Sequence, residues 1–201
     1  MAGPSPGLAT VPLRPPPRRP DLPGTVRDLP LPPRGLDGPG HIAGYASLFG
    51  VVDLGRDMVL PGAFAASLAR RGSAGIRMLW QHDPAEPIGV WTSLVEDRAG
   101  LAVRGRLNLA VARARELDAL VRQGAVDGLS IGFRVVAATT DRRSGVRRIA
   151  RIDLWEVSLV TFPMLPGARL APSERHGSTV SAAWTPALSR ATAALAPGAS
   201  R

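Results

Sequence analysis

Proline is concentrated at the start of this 201-residue chain, and that distribution limits where a folded domain can lie. Twelve of the 20 prolines fall in residues 1–39, in strings such as LRPPPRRP and LPLPPRG. Because proline lacks a backbone N–H and has a fixed φ, such strings favour extended polyproline conformations. Residues 171–201 are rich in Ala, Ser, Pro and Gly and show little periodicity. We therefore predict a disordered arm at 1–39, one domain at 40–170 and a disordered tail at 171–201.

The charge of the chain is basic but spread along its length. All 25 basic residues are arginine, against 16 acids, which gives a formal charge of +9, yet residues 35–170 hold 17 arginines and 13 acids. With only 4% aromatic residues for base stacking, nucleic acid is an unfavoured partner. The absence of cysteine excludes disulfides, thiolate metal sites and a cysteine nucleophile. No apolar run has the length of a membrane span or a secretory signal core, so we expect neither membrane insertion nor export.

Residues 40–170 contain several segments whose apolar residues alternate as in half-buried β-strands. LAVRGRLNL alternates strictly and follows the apolar segment PIGVWTSLVE and the turn DRAG, which predicts an antiparallel hairpin. Further strands are predicted at 41–50, 75–83, 126–138 and 146–160, and helices at 61–72 and 110–124. Hairpin rather than crossover connections favour an α+β fold, with a curled, mostly antiparallel sheet or closed β-barrel surrounded by a few helices.

The stretch GAVDGLSIGF, residues 124–133, contains the pattern G-x-S-x-G around Ser130. In an α/β-hydrolase this pattern forms a nucleophile elbow, which needs a strand before the serine and a helix after it. Here a predicted helix precedes the serine and a strand follows it. The elbow also needs a histidine downstream, and the one that follows, His176, lies in the predicted tail. The α/β-hydrolase interpretation is therefore rejected.

Alternation in the last two predicted strands separates apolar from polar side chains. One face of the first strand carries four apolar residues: Leu129, Ile131, Phe133 and Val135. Its other face carries Ser130, Gly132 and Arg134. The apolar face of the second strand carries three residues: Trp155, Val157 and Leu159. Its other face carries Glu156 and Ser158, so Ser130 and Glu156 converge if the two strands are neighbours.

A serine nucleophile needs an imidazole to take its proton, and it gains from a third group that orients the imidazole. Ser130, His82 and Glu156 supply these types once each, with His82 placed where a predicted strand gives way to a loop. Ordinary roles remain open: Ser130 as a small residue at a close strand approach, His82 as a loop residue bonded to backbone, Glu156 as a solvated charge. A metal site is less favoured, because His41, His82 and His176 have no ligand spacing.

Five segments, in this order, resemble the prohead serine protease family of tailed phages and gene transfer agents: GYASLFGVVDLGRDMVLPGAF, MLWQHDPAEPIGVW, GLAVRGRL, ARELDALVRQGAVDGLSIGF and DLWEVSLVTFPM. The likeness spans about residues 41–170. By this resemblance, His82 matches the family histidine and Ser130 the family serine. Glu156 lies where the third member is expected, although the related assemblins use a second histidine there. Many relatives have Ala-Asn where this chain has Met164 and Leu165, a difference expected to affect only a turn beyond the site.

The resemblance implies both a fold and an activity. Family members cleave the scaffolding part of the capsid protein inside the immature shell, and they resemble the herpesvirus assemblins, in which helices wrap a barrel. The implied activity is that of a serine endopeptidase of capsid maturation: Ser130 attacks the scissile carbonyl, His82 relays the proton and Glu156 holds His82.

Two features of the implied site stay open. The oxyanion would be met by backbone amides near Ile131 and Gly132 or by an arginine, Arg134 or Arg169. If Glu156 is only a solvated residue, the next acids to consider are Asp153 and Asp127.

The resemblance also implies the partners and the place of action. The substrate would be the major capsid protein with its scaffolding segment, cleaved without a cofactor inside the prohead, in the cytoplasm of the bacterial host. Relatedness to assemblins is compatible with a homodimer. The competing hypothesis is a non-enzymatic capsid-interior or scaffold protein that has the same fold and uses its Arg-rich arms to contact shell or DNA.

Overall fold

The computed structural model describes residues 38–171, which form seven strands and two helices. The arm and tail predicted at 1–39 and 171–201 lie outside these residues, apart from positions 38, 39 and 171. In chain order the elements are β1 (His41–Leu48), β2 (Asp57–Val59), α1 (Ala65–Arg71), β3 (Arg77–Trp80), β4 (Asp83–Glu96), β5 (Gly100–Leu107), α2 (Ala112–Arg122), β6 (Gly128–Thr140) and β7 (Arg147–Val160).

All seven strands belong to one sheet in which β7 is central. The order β1-β5-β4-β3-β7 continues to β6, which pairs with β7 along nearly its whole length. The opposite edge of β7 pairs with two strands, β3 at residues 156–159 and β2 at residues 147–149, both parallel. The other four pairings are antiparallel, including the predicted hairpin of β4 and β5. The expectation of a mostly antiparallel sheet is confirmed.

The segment 168–171 closes the sheet into a barrel. It bonds to β1 through Tyr45 N, which donates to Arg169 O at 3.0 Å, and Ala171 N, which donates to the β1 carbonyl of residue 43 at 2.8 Å. It bonds on its other side to the start of β6, where Leu129 N donates to Ala168 O at 2.9 Å. A closed barrel has no long free edge, so the two strands that are farthest apart in the sheet order become neighbours.

Apolar side chains from all seven strands fill the barrel interior, and the short strand β2 contributes Val59. The two helices cover the outside of the barrel. The largest fully buried side chains are Phe64, Met78, Ile88, Leu101, Leu107, Leu117, Leu129, Ile149, Leu154 and Leu159. Helix α1 is fastened to β7 by a buried hydroxyl, because Ser67 Oγ accepts the N–H of Leu154 at 2.9 Å. Neither helix of residues 38–171 is long and apolar enough to span a membrane.

The strands of the structure differ from the sequence prediction in two places. Trp155 was assigned to the apolar face of β7, but it is 55% exposed. The reason is a β-bulge: Gly132 pairs with Glu156 and Phe133 pairs with Leu154, so Trp155 is an extra residue that interrupts the alternation. Strand β2 was not predicted, because three residues are too few for an alternation to be visible.

Candidate active site

His82 lies in the two-residue turn that joins β3 to β4, rather than in the loop that the sequence indicated. Trp80 pairs with Asp83, and both turn residues have positive φ, 52° at Gln81 and 62° at His82. Positive φ at both central positions is characteristic of the tightest β-hairpins, and it is unfavourable for residues other than glycine. A non-glycine turn of this kind persists only where its surroundings hold it.

The surroundings of this turn are the end of β7. Gln81 N donates to Leu159 O at 2.9 Å, and the Gln81 side-chain amide donates to Thr161 Oγ1 at 2.8 Å. His82 N donates to Ser158 Oγ at 3.2 Å. These three bonds fasten the turn to the end of β7 and to Thr161, the residue that follows it, and they present the His82 imidazole to the side chains of that strand.

The imidazole of His82 contacts the carboxylate of Glu156. Nδ1 of His82 lies 2.6 Å from Oε1 of Glu156, and the second carboxylate oxygen accepts the hydroxyl of Ser158, also at 2.6 Å. Glu156 is 9% exposed, so both oxygens are bonded in a largely buried position. Such an arrangement stabilises the carboxylate and fixes its orientation towards the histidine.

The same contact sets the tautomer and basicity of His82. A carboxylate at Nδ1 requires the proton on that nitrogen, so Nε2 of the neutral ring is left as the free base. The hydrogen bond that His82 donates to Glu156 raises the pKa of His82 above its ordinary value, and partial burial, which lowers that pKa, opposes the effect only in part. The imidazole is therefore oriented and made more basic by the same residue.

Ser130 lies on the same side of the sheet as Glu156. It pairs directly with Ser158 across β6 and β7, and Gly132 pairs with Glu156. Antiparallel partners project to one face, so Ser130 lies on the face that carries Ser158 and Glu156, while the hydrogen bonds found within residues 38–171 include none between Ser130 and His82. Ser130 is 8% exposed, and the hydrogen bonds found within residues 38–171 include none to its Oγ. No unpaired polar side-chain atom in that part of the chain is fully buried, so this hydroxyl remains accessible.

Gly132 is required by the position of Glu156. A Cβ added at this residue would lie 1.8 Å from Oε1 of Glu156 and 2.6 Å from its Cδ. The sequence indicated only that Gly132 is small. It also placed Ser158 beside Glu156 without giving it a role, because a serine two residues from a glutamate has no chemical signature of its own.

The structure distinguishes among the groups that the sequence offered for stabilising the oxyanion. Arg134 is directed to Asp153, and Arg169 is paired with Asp127 and donates to Pro166 O. The backbone N–H of Ile131 is different. Leu129 N points away from β7 and donates to Ala168 O. Because alternate residues of a strand direct their N–H groups to the same edge, the N–H of Ile131 also points away from β7.

The alternative acids do not contact His82. Asp153 is bonded by Arg70, Arg71 and the Trp155 indole, and these contacts hold its pKa below the ordinary value, with the Trp155 hydrogen bond the largest cause. The carboxylate of Asp127 forms an ion pair with Arg169 instead. Across residues 38–171, His, Asp and Glu side chains do not group in threes that could hold a metal ion.

Met164 and Leu165 are closer to the site than the sequence suggested. Both line a cleft of about 170 Å³ to which Ser130 and Ile131 also contribute. The loop that differs from many relatives therefore lies next to the candidate nucleophile, and the effect of the difference on the site stays a prediction. The loop folds back because Leu54 N donates to Met164 O at 2.9 Å.

Comparison with known proteins identifies similar chains by sequence and by structure. The prohead protease of Enterobacteria phage HK97 is 38% identical over 134 residues, which are 66% of this chain and 59% of that protein. The chain thus spans about three fifths of the length of this relative. The bacteriophage T4 capsid assembly protease has the same fold, with a TM-score of 0.51 at 17% identity over 63% of this chain and 85% of that one. The KSHV protease aligns with a TM-score of 0.42 at 12% identity, over 65% and 63% of the two chains.

The sequence of residues 31–183 matches the family described as caudovirus prohead serine protease. The matched region includes the whole barrel and all three candidate catalytic residues, Ser130, His82 and Glu156. The expected family is confirmed: this chain belongs to the caudovirus prohead serine proteases.

Proposed function

We propose that the protein is a serine endopeptidase that cleaves the capsid protein and its scaffolding segment inside the prohead during capsid maturation. The observation that carries the proposal is the 2.6 Å contact between His82 Nδ1 and Glu156, beside the cross-strand pair of Ser130 and Ser158. The HK97 and T4 relatives, a prohead protease and a capsid assembly protease, support the proposed substrate and place of action.

The residues would divide the reaction as follows. Nε2 of His82 takes the proton of Ser130 as Oγ attacks the scissile carbonyl, and the resulting imidazolium is stabilised by Glu156. The tetrahedral oxyanion is met by the amide of Ile131, which follows the nucleophile and points away from β7. The imidazolium then gives its proton to the leaving amine, and a water molecule, activated by the same histidine, hydrolyses the acyl-enzyme. These steps need no cofactor.

The competing non-enzymatic role, a capsid-interior or scaffold protein, gives no reason for the geometry of His82. A structural turn would gain stability from residues that accept positive φ, such as glycine or asparagine, at positions 81 and 82. Instead, Gln81 and His82 are held there by bonds to β7, and the bound imidazole faces a buried carboxylate. Unfavourable local conformations that are held by their surroundings are typical of functional sites.

The test is the variant Ser130→Ala, with Ser73→Ala, in the turn after α1, as the matched control. In one assay each protein is produced together with the capsid protein, and capsid cleavage is followed. In the other, each protein is treated with a serine-directed phosphonate, and its mass is measured by intact mass spectrometry. We expect capsid cleavage and phosphonate labelling in the parent and the control, and neither in Ser130→Ala, at unchanged folding. Full capsid processing by folded Ser130→Ala protein would refute the proposed function.

A further inference from the structure

The cleft beside Ser130 combines apolar walls with two acidic residues, and the proposed reaction requires neither. It lies between the end of β1, the first half of β6 and the loops at 51–57 and 164–165. Ser130 and Ile131, which supply the nucleophile and the oxyanion amide of the proposed reaction, form part of its wall. A substrate side chain placed in this cleft would lie next to Ser130.

The walls of the cleft are mostly apolar. They include Leu48, Val59, Phe133, Met164 and Leu165. Its volume is about 170 Å³. That space accommodates one long, narrow side chain, and the unbranched thioether of Met164 can adapt to its shape.

The charged residues among those lining the cleft are both acidic, Asp53 and Asp57. Asp57 is already neutralised, because Arg147 binds it through two hydrogen bonds of 2.7 and 2.5 Å. Asp53 uses Oδ1 to accept the N–H groups of Gly55 and Asp57, both at 2.8 Å. The hydrogen bonds and ion pairs found within residues 38–171 leave Oδ2 of Asp53 without a partner.

Asp53 is also partly desolvated. Burial is the main reason that its pKa is raised above the ordinary value of 3.8, and the two backbone N–H groups and Arg147 only partly oppose that rise. A cation placed against Oδ2 would compensate the lost solvation, which an uncharged side chain could not do. In a chain with a formal charge of +9, an acidic cleft beside the nucleophile is a local reversal of charge.

We infer that this cleft is the specificity subsite of the protease and that it selects a lysine or arginine side chain of the substrate residue adjoining the scissile bond. The methylene stem of such a side chain packs on Leu48, Met164 and Leu165, and its charged end reaches Asp53. The inference rests on the proposed function, since a subsite has meaning only beside a working nucleophile.

The test compares peptides that differ only at the residues on either side of the scissile bond, with lysine, arginine, norleucine or glutamate in turn. Norleucine has the stem of lysine without its charge. We expect kcat/KM for the lysine or arginine peptide to exceed that for norleucine by about ten- to a hundred-fold, the range of a charged hydrogen bond, and glutamate to be the poorest.

Asp53→Asn is the informative variant, because asparagine keeps the Oδ1 acceptor of the loop and loses the charge. It should bring the lysine-to-norleucine ratio close to one while the norleucine peptide is still cleaved. Glu116→Gln removes an exposed acid on α2 that is outside the cleft, and its ratio should equal that of the parent. Should Asp53→Asn fail to fold, the profile of the parent protein still decides the question.

The outcomes separate the two proposals. If the parent is labelled by phosphonate at Ser130 and cleaves all four peptides equally, or prefers glutamate, the subsite inference is wrong and the proposed function stands. If the parent neither reacts with phosphonate nor cleaves any peptide or capsid protein, the proposed function is wrong and the subsite falls with it.

Discussion

Replacing Gly132 by alanine tests the candidate site through a residue that has no chemistry of its own. An added Cβ would lie 1.8, 2.6 and 2.8 Å from Oε1, Cδ and Cγ of Glu156, whereas real Cβ atoms essentially never approach closer than 3.0 Å. Oε1 must therefore recede by at least 1.2 Å, the difference between 3.0 and 1.8 Å. Gly132 does not have positive φ, so the alanine backbone itself is unstrained.

The displacement is large enough to break both bonds of the carboxylate. Three atoms of Glu156 are too close at once, so the side chain has to change rotamer and leave both His82 and Ser158. Loss of oriented proton transfer should reduce kcat/KM by about 100- to 10,000-fold. Loss of charged hydrogen bonds in a nearly buried position should cost about 1–3 kcal/mol of the free energy of unfolding.

The decisive measurement is a double-mutant cycle. Peptide cleavage and urea unfolding are compared for Gly132→Ala, Glu156→Ala and the double variant. Glu156→Ala removes the atoms that the new Cβ would meet, so adding Gly132→Ala to it should change its rate and stability little. If Gly132→Ala keeps the parent rate, or if its effect is the same with and without Glu156, then the glycine does not act through the carboxylate and this argument is wrong.

Further predictions concern the histidine and its partner. Glu156→Gln should retain slow peptide cleavage, with its acidic limb moved to lower pH because the pKa of His82 is no longer raised by the carboxylate, whereas His82→Ala should show no cleavage above background. Parent-like rates and pH profile in Glu156→Gln would reduce Glu156 to a structural residue. The raised pKa of His82 also links stability to pH: its contribution is complete below about 6.5, the ordinary value, and is lost as the pH rises through the higher folded value. Chemical unfolding should thus show the parent losing more stability than Glu156→Gln between pH 6 and 9, and equal losses would contradict the assigned shift.

Much of the barrel could be predicted from the sequence because its strands are half-buried and therefore alternate. LAVRGRLNL is an example: Leu101, Val103 and Leu107 are buried in β5, which forms the expected hairpin with β4. The order of helix, Ser130 and strand was also sufficient to reject the nucleophile elbow. The alternation failed where the chain departs from regular pairing, at the bulge that exposes Trp155 and in the three residues of β2.

The candidate residues themselves were visible in the sequence, but their relations were not. Alternation indicated that Ser130, Glu156 and Ser158 project to one side, since side-chain direction along a strand is a local property. The identification of His82 relied on the resemblance to a family, because an isolated histidine after a strand has no distinguishing pattern. Ser158 and Gly132 acquired roles only through the register of β6 against β7, which pairs Ser130 with Ser158 and Gly132 with Glu156.

By itself, then, the sequence determined which segments are strands and which side chains share a face, because both depend on neighbours a few residues away. The tertiary structure decided what those faces meet. The parallel pairing of β3 with β7 brings the turn at His82 to Glu156, which is 74 residues further along the chain. The closure of the barrel brings Asp53 and Met164 into the same cleft as Ser130. Contacts between distant segments depend on how the whole sheet curls and closes, and no local pattern of residues encodes that geometry.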